Sequence, residues 1–568
     1  MDKNKIKHEV PEIIVNPGNN KKYKKGKFLG RGGFANVFEF IDMSDNKSLA
    51  CKVISKTQLV KDKNKAKMSL EISIHRSVDH KHIVKFFNFF EDENFVYILL
   101  ELCGKRSMME MHKRRKLITE PELRYYVRQI TLACVYLHDN KIVHRDLKLG
   151  NLFLNDDMQV KVGDFGLASK LISGERKKTL CGTPNYIAPE ILLEAGHGFE
   201  VDVWSLGCIV YTLIIGKPPF ETDQLKNTYR RIKKNDYTIP SHINKQLANF
   251  IAGMLQSDPS KRPTMKQILN DPYLTHNYIP SSLPTTCLSI APRMNETRLS
   301  ILCVDNAVRR PFTEVANNIN QEVNIEIPAH LADKGQGPAD YYLSELRDQV
   351  SKLLTSDRIK VKCQYTADEA EHPSSMPFYW ISKWVDYTDK YGIGYQLCDN
   401  SIGVLFNDST KLILMADQNN FHYVEGNGQE QYYKFNSTPE HLVKKTTLFR
   451  YFRNYMNSHL MKMGEKQRQQ LGEIEEMARV PHVNNWIRTS SAIVFHMTNG
   501  TVQINFFKDH VKLILCPHMA AVTYVNDVGE FKAYKFNLLE EYGINSDLHQ
   551  RLKYAKEVLE HLVKKAST

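Results

Sequence analysis

At 568 residues the chain is too long for a single hydrophobic core, and a prior of roughly 150 residues per domain predicts about three or four units. Its apolar and charged fractions, 42% and 25%, are those of an ordinary globular protein, and the longest apolar run, around Leu206 to Ile215, is too short to span a bilayer and suits a buried helix. A formal net charge of +13 favours acidic partners, while ten scattered cysteines without a C-x-x-C pair argue against a disulfide framework or a zinc site and for a reducing compartment.

Much of the positive charge is local. Residues 1 to 27 carry eight lysines against three acids, and Lys52, Lys56, Lys61, Lys63, Lys65 and Lys67 follow. These runs do not interleave aromatic residues as a single-strand nucleic-acid groove does, so solvated charge is the expectation. Met1 to Val10 is charged and lacks an apolar h-region, so secretion is not expected.

Phe28 to Phe38 reads as strand, glycine turn, strand, and glycines let backbone amides approach phosphates closely. A plain hairpin is the bland alternative. A dinucleotide fold fits worse, because a second strand follows the glycines instead of a helix. Leu49 to Ile54 alternates as a half-buried strand interrupted by Lys52, which needs an edge or an anionic partner. Glu71 is the candidate partner, on the helical stretch Lys67 to Val78 whose apolar residues Leu70, Ile74 and Val78 recur every four. Lys52 then holds the α- and β-phosphates and Glu71 orients it. The apolar strand Val96 to Leu100 runs into Glu101-Leu102-Cys103, a hinge whose backbone would meet an adenine.

Glu122 to His138 is predicted to be a long amphipathic helix with Leu123, Tyr126, Val127, Ile130, Ala133 and Leu137 in the core. The loop His144 to Asn151 comes next. Asp146 is placed to accept or orient the acceptor hydroxyl, Lys148 to reach a γ-phosphate, and Asn151 to ligate Mg²⁺ together with Asp164, which follows the strand Gln159 to Val162.

With these motifs in order, residues 23 to 274 resemble a protein kinase catalytic domain. The matching elements are Gly30, Gly32 and Gly33, Lys52, Glu71, His144-Arg145-Asp146, Asn151, Asp164-Phe165-Gly166, Ala188-Pro189-Glu190, Asp202 to Gly207, and Arg262 as the ion-pair partner of Glu190. Ala35 departs from the generic third glycine. Lys148 and Gly182-Thr183-Pro184 resemble serine/threonine rather than tyrosine kinases. The resemblance implies ATP and Mg²⁺ as cofactors, with Leu29, Gly30, Arg31, Gly32, Gly33, Phe34, Ala35, Val37, Ala50, Lys52, Glu101 and Cys103 around the nucleotide. In the segment between Gly166 and Ala188, Thr179 follows Arg176-Lys177-Lys178 and is the expected activation-loop phosphosite, its phosphate pairing with Arg145.

Residues 275 to 375 read as a linker. Asn277 to Ser300 is rich in Pro, Ser, Thr and Asn, Arg309 to Thr313 resembles a destruction box with Phe312 in place of Leu, and Tyr341 to Leu354 is a short amphipathic helix expected to dock on the region C-terminal to it. Lys411-Leu412-Ile413-Leu414 then returns as Lys512-Leu513-Ile514-Leu515, and Phe406, Asp408 and Tyr423 return as Phe507, Asp509 and Tyr524, all at one offset (512 − 411 = 101). Two copies of a roughly hundred-residue unit, each strands with period-two alternation followed by a helix, are expected to pack together without a net insertion over this part.

A kinase domain followed by two such repeats is similar to the polo-like kinases, in which Ala35 is the usual glycine-loop residue and the paired polo boxes bind phosphoserine or phosphothreonine peptides. The expected fold is α+β: a two-lobed kinase over 23–274 after a basic tail 1–22, then polo box 1 over 376–457, an inter-box linker 458–479 and polo box 2 over 480–568. His510 and Lys512, two apart on a predicted strand, would share a face and hold a phosphate dianion; the first copy has Ser409 and Lys411 there, so one phosphate site is expected. Trp384, Arg488, Asn505 and Leu460 complete the expected peptide groove.

By resemblance the protein acts in mitosis, in cytoplasm and nucleus, at centrosomes, kinetochores and the division site. It takes substrates with acidic residues near the acceptor, which the basic stretch Lys105, Arg106 and Lys113 to Lys116 would accommodate, and it answers to an upstream kinase. A monomer with no nucleic acid and no membrane insertion is expected. A phosphoprotein-binding pseudokinase is disfavoured by the presence of Lys52, Asp146, Asn151 and Asp164, and a nucleic-acid binder by the lack of any recognition module.

Overall fold

The computed structural model describes residues 9–32, 35–171, 177, 182–293, 339–362, 366, 368–459 and 477–567. The chain divides into two compact units, Met1–Leu283 and Pro284–Thr568. Among the described residues no helix is long and apolar enough to cross a membrane.

The first unit begins with a six-stranded antiparallel sheet in the order Ile13–Val15, Lys22–Arg31, Asn36–Asp42, Ser48–Ser55, Phe95–Leu100, Phe86–Glu91. Its first strand lies within the stretch expected to be a basic tail. Ile14 is buried against Tyr23 and Phe40, which gives this short segment an apolar reason to pair. Tyr23, Phe40, Cys51, Val53, Tyr97 and Leu99 fill one face, whereas Ala35, Ile54, Val96 and Ile98 pack on the other with Ile72. Ile72 belongs to the helix Asp62–Arg76, which buries Ile72, Ile74 and His75. Leu70 is instead exposed, so the four-residue spacing picked the wrong neighbour of Ile74. The lysines before it stay solvated.

The helix Glu120–Asp139 starts where its sequence dictates. Thr119 and Glu122 form a reciprocal capping box and Pro121 sits in the first turn. All six predicted core positions along it are fully buried. Glu122 also receives both guanidinium nitrogens of Arg115, at 2.7 and 2.9 Å, in a pair closed to solvent. Within the basic stretch expected to face acidic substrates the side chains of Arg114 and Arg115 are buried and burial pushes Arg106 down to about 10, while Lys116 is exposed. The helix Glu200–Ile215 is apolar on every side and ends at Gly216, whose φ of 91° needs no Cβ.

The second unit holds two six-stranded antiparallel meanders, Ile381–Tyr387 to Glu430–Lys434 and Val483–Arg488 to Phe531–Lys535. Simple in–out alternation does not describe them, because both faces are covered. Leu412 and Leu414 pack under the helix Val443–His459, while Ile413 and Met415 face the other sheet along with Ile493 and Phe495. Leu513 and Leu515 pack with the last helix, Ser546–Ser567, through Leu548, Leu552, Ala555, Leu559 and Leu562. The helix Leu343–Thr355, expected to dock, lies in that same core through Leu343, Leu346, Val350 and Leu353.

The repeat is not free of insertions. Phe406 closes its strand opposite Gly392, and its counterpart opposite Ala492 is Phe506, not Phe507. Asn407 and Phe507 donate their amides to Tyr391 and Ser491 in turn, so they are the equivalent pair. The second copy thus has one extra residue in the turn before Asp509, and the constant offset holds only from Asp408 onward.

Candidate phosphotransfer and phosphate-binding sites

In the first unit the turn between Lys22–Arg31 and Asn36–Asp42 is closed by Gly32 N–H donating to the Ala35 carbonyl at 2.8 Å. A Cβ added at Gly30 would meet nothing within 4 Å, so the turn borders open space, and Leu29, Val37 and Ala50 are half-buried around it. Arg31 is exposed and bonds Asn36. Gly33 and Phe34 lie outside the described residues.

Lys52 sits mid-strand between Val37 and Ile98, and its Nζ donates to Glu71 Oε1 at 2.6 Å, with Asp164 Oδ1 3.9 Å away. Burial pulls its pKa down, but the two carboxylates prevail and leave it raised, so the ammonium is secured. A Cβ at Gly166 would lie 3.2 Å from Asp164 Oδ1 and 3.3 Å from Glu71 Oε2, so the helix carboxylate reaches the turn after Asp164 as well as Lys52. At the hinge, Glu101 is fixed by Lys161 at 2.8 Å and by its backbone amide to Lys85, leaving Cys103 half-buried with its thiol pushed up to about 12 by burial.

The catalytic loop is tied from two sides. Asp146, nearly buried, accepts from Lys148 Nζ at 2.7 Å, Asn151 Nδ2 at 3.0 Å and Thr183 Oγ1 at 2.8 Å. Lys148 also donates to Thr183 Oγ1 at 2.8 Å. From below, Asp202, fully buried near the start of the helix Glu200–Ile215, accepts the amides of His144 and Arg145 at 3.0 and 2.9 Å and the ring of His138 at 2.9 Å. Burial would raise its pKa, yet these donors hold the carboxyl below its ordinary value. Arg145 (φ 64°) and Asp164 (φ 59°) are both in the left-handed region, strained backbone that over-determined surroundings maintain.

Two contributors escape the sequence. Thr183 reads there only as part of a class signature, and its spacing from Asp146 gives no hint that the two share a proton network. His75 reads merely as helix. It donates to the Val84 carbonyl at 2.7 Å and its ring lies tilted 4.6 Å from Phe165, which in turn lies 5.3 Å from His144, so a chain of aromatic contacts joins helix, metal-side loop and catalytic loop. Arg262 grips Glu190 with two bonds of 2.7 and 2.8 Å, as expected. Lys177 is pinned to His197 by a pair of backbone bonds, but Thr179 lies outside the described residues. Among the described residues no cluster of three or more His, Cys, Asp or Glu side chains could hold a metal alone. Asn151 and Asp164 are instead hard oxygen donors of the kind Mg²⁺ uses alongside phosphate oxygens and water.

In the second unit His510 does not lie on the strand that its spacing from Lys512 predicts. The strand begins at Lys512, and His510 is an exposed turn residue with φ 58°. Lys512 heads a row running straight across the sheet: it pairs with Asn505, which pairs with Ile493, which pairs with Arg488. Directly opposed residues share a face, so Arg488, Asn505 and Lys512 are brought together on the side that meets the other sheet. Lys512 is half-buried and burial lowers its pKa, and among the described residues no counter-charge acts on it. Phe507 links this row to the first sheet: its ring lies 6.3 Å from Trp384 and under the Arg488 guanidinium at 5.3 Å, while Arg488 bonds Asp386 at 3.0 Å. Phe507 is misassigned by the constant offset. Leu460 and the destruction-box-like stretch at Arg309 lie outside the described residues.

The model of the protein kinase domain matches residues 23–274, and that of the POLO box duplicated region matches 389–446 and 489–552. The chain is 52% identical over 562 residues to serine/threonine-protein kinase PLK1 of Xenopus laevis, covering 98% of this chain and 93% of that one. It is 46% identical over 574 residues to serine/threonine-protein kinase polo of Drosophila melanogaster, covering 99% and 98%, and 47% identical over 586 residues to plk-1 of Caenorhabditis elegans, covering 100% and 90%. With likeness of this extent joined to a lysine–glutamate clasp, a braced catalytic loop and a duplicated sheet, the chain belongs to the polo-like family of serine/threonine protein kinases.

Proposed function

We propose that the first unit transfers the ATP γ-phosphate by the division of labour its contacts support. Asp146 accepts the proton of the substrate serine or threonine hydroxyl, Lys148 neutralises the transferring phosphate, and Lys52, held by Glu71, binds the α- and β-phosphates. The open turn at Gly30 to Val37, with Ala50, Glu101 and Cys103, encloses the nucleotide. Asn151 and Asp164 would hold Mg²⁺, which supplies charge neutralisation along the phosphates when bound. Thr179 is the activation-loop phosphosite in this reading, motivated by the three cations before it and by Arg145 beside the base. Thr179→Val is expected to lower turnover without altering the fold, and equal specific activity of phosphorylated and unphosphorylated enzyme would count against it.

The second unit recruits the enzyme to phosphorylated docking proteins, with His510 and Lys512 on the phosphate and Trp384, Phe507, Arg488 and Asn505 along the peptide. Leu460 joins them by family resemblance alone. The observation that carries this reading is the half-buried Lys512 ammonium, on which no counter-charge acts among the described residues. Its cost in isolation is offset when a phosphate arrives. Polo-like kinases regulate mitosis, and recruitment of this kind would bring the enzyme to spindle poles, kinetochores and the division site. Calorimetric titration of the full chain with a phosphothreonine peptide tests it: His510→Ala with Lys512→Met should weaken binding by about 10²-fold and leave phosphorylation of a short free peptide intact. Undiminished affinity in that variant would sink the assignment.

A further inference from the structure

A cavity of about 610 Å³ opens in the second unit beside Lys411, on the first sheet. It stands where the phosphate turn stands in the second. Ser409 has φ 65° as His510 has 58°, and Asp408 accepts the Thr410 amide as Asp509 accepts that of Val511. Lys411 heads its strand opposite Val424, as Lys512 does opposite Val525. Trp486, which lines the cavity, pairs with Phe495 in the second sheet as Trp384 pairs with Tyr395 in the first. A turn of one sheet and a tryptophan of the other therefore meet twice in this unit.

The chemistry of the two places differs. Ser409 offers a hydroxyl where His510 offers an imidazole, and Glu425 at the rim replaces Asn526, its counterpart after the paired valines. Lys411 Nζ contacts the neutral Asn484 Oδ1 at 3.3 Å. Glu430, the acid whose charge reaches Lys411, is engaged by Arg479 at 3.4 Å. Lys411, Lys565 and Glu425 are the charged lining residues and leave one net positive charge. A phosphate dianion would face Glu425 with half the pincer missing, whereas a single carboxylate matches one ammonium beside the Asn484 amide, in a cavity that Asn407 also lines.

We propose that the cavity beside Lys411 is a second docking site, which takes a glutamate or aspartate side chain from an unphosphorylated acidic segment of a partner protein. Burial lowers the Lys411 pKa despite Glu430, so the ammonium gains from a carboxylate that replaces lost water. Trp486 and Leu405 give the residue next to that carboxylate an apolar wall. The inference rests on the reading of His510 and Lys512 for its geometry, not for its ligand.

The test is fluorescence anisotropy of the full chain with a fluorescein-labelled tetraglutamate peptide, beside titration with a phosphothreonine peptide. Lys411→Met should weaken tetraglutamate about tenfold, the loss of one charge-assisted contact. His510→Ala with Lys512→Met, or saturation with the phosphothreonine peptide, should leave it unchanged. Should Lys411→Met fail to fold, Ser409→Asp decides, since Asp tolerates positive φ and sets a like charge at the mouth; it should abolish tetraglutamate binding. Absent binding to the parent, equal affinity in both variants, or loss only in the His510/Lys512 variant would overturn the proposal. Loss of phosphothreonine binding bears on the other site alone.

Discussion

The kinase cluster and the phosphate-binding row solve opposite problems with charge. Around Asp146 and Lys52 every ionised group already has a partner: Glu71 on Lys52, and Lys148, Asn151 and Thr183 on Asp146. Around Lys512 the charge is left without one among the described residues, and His510 is exposed. A catalytic site gains when reorganisation is done before the substrate arrives, because the transition state then meets dipoles already aimed at it. A docking site gains when the protein withholds a partner, since that contact is then made by the ligand and counts toward affinity.

The sharpest way to test the contrast is Asp146→Asn, which keeps the shape of the braced loop and removes the proton acceptor. Turnover measured as labelled phosphate in casein should fall by about 10³-fold, with the KM for ATP unchanged. A loss of nucleotide affinity instead would mean that the cluster is organised around ATP binding, not proton transfer. Next in size is the loss of both phosphate ligands, His510→Ala with Lys512→Met, expected to weaken phosphopeptide by about 10²-fold. A smaller effect, about tenfold in kcat, is expected of Thr183→Val, which removes one donor to Asp146 and the shared contact with Lys148. If Thr183→Val were silent, the bracing of Asp146 would be redundant.

The smallest effect per residue concerns a feature the two units share. His75 in the first unit and His496 in the second are both held near 4 by burial, and His482 near 3. The unfolded chain takes up protons at about 6.5 that these rings refuse when folded. Stability should therefore be full above pH 6.5 and decline as pH falls toward 4, by at most about 1.4 kcal/mol per pH unit for each ring. Melting curves of both units between pH 7 and pH 5 check this, and replacement of His482 by Phe should flatten the slope in the second unit only.

Much of the catalytic site was legible because its residues lie in short, ordered motifs whose spacing is set by local geometry. Lys52 on a strand, Glu71 on the next helix and the loop His144 to Asn151 each carry their role within a few residues. Thr183 and Asp202 were not legible as supports. They act on residues 37 and 58 positions away through contacts that exist only once the helix Glu200–Ile215 and the segment before it have packed. The second unit shows the same limit at closer range. The repeat was plain in Lys411 to Leu414 and Lys512 to Leu515, yet one inserted residue shifted Phe507, and His510, like Ser409 in the first copy, stands before its strand at positive φ, because a turn's φ values are not written in apolar periodicity.

What the sequence determined by itself is the inventory and its order: which strands and helices form, which polar residues stand at their ends, and that the C-terminal unit is built twice. These come from propensity, patterning and capping, which act over one or two turns of chain. Only the tertiary structure decided which charges are neutralised. Arg115, which read as surface, is closed against Glu122, while Lys411 and Lys512, each followed by Leu-Ile-Leu, face different neighbours across the two sheets. The reason is that burial and counter-charge depend on what packs from elsewhere in the chain, and those neighbours set the free energy of an ion far more than the residues beside it.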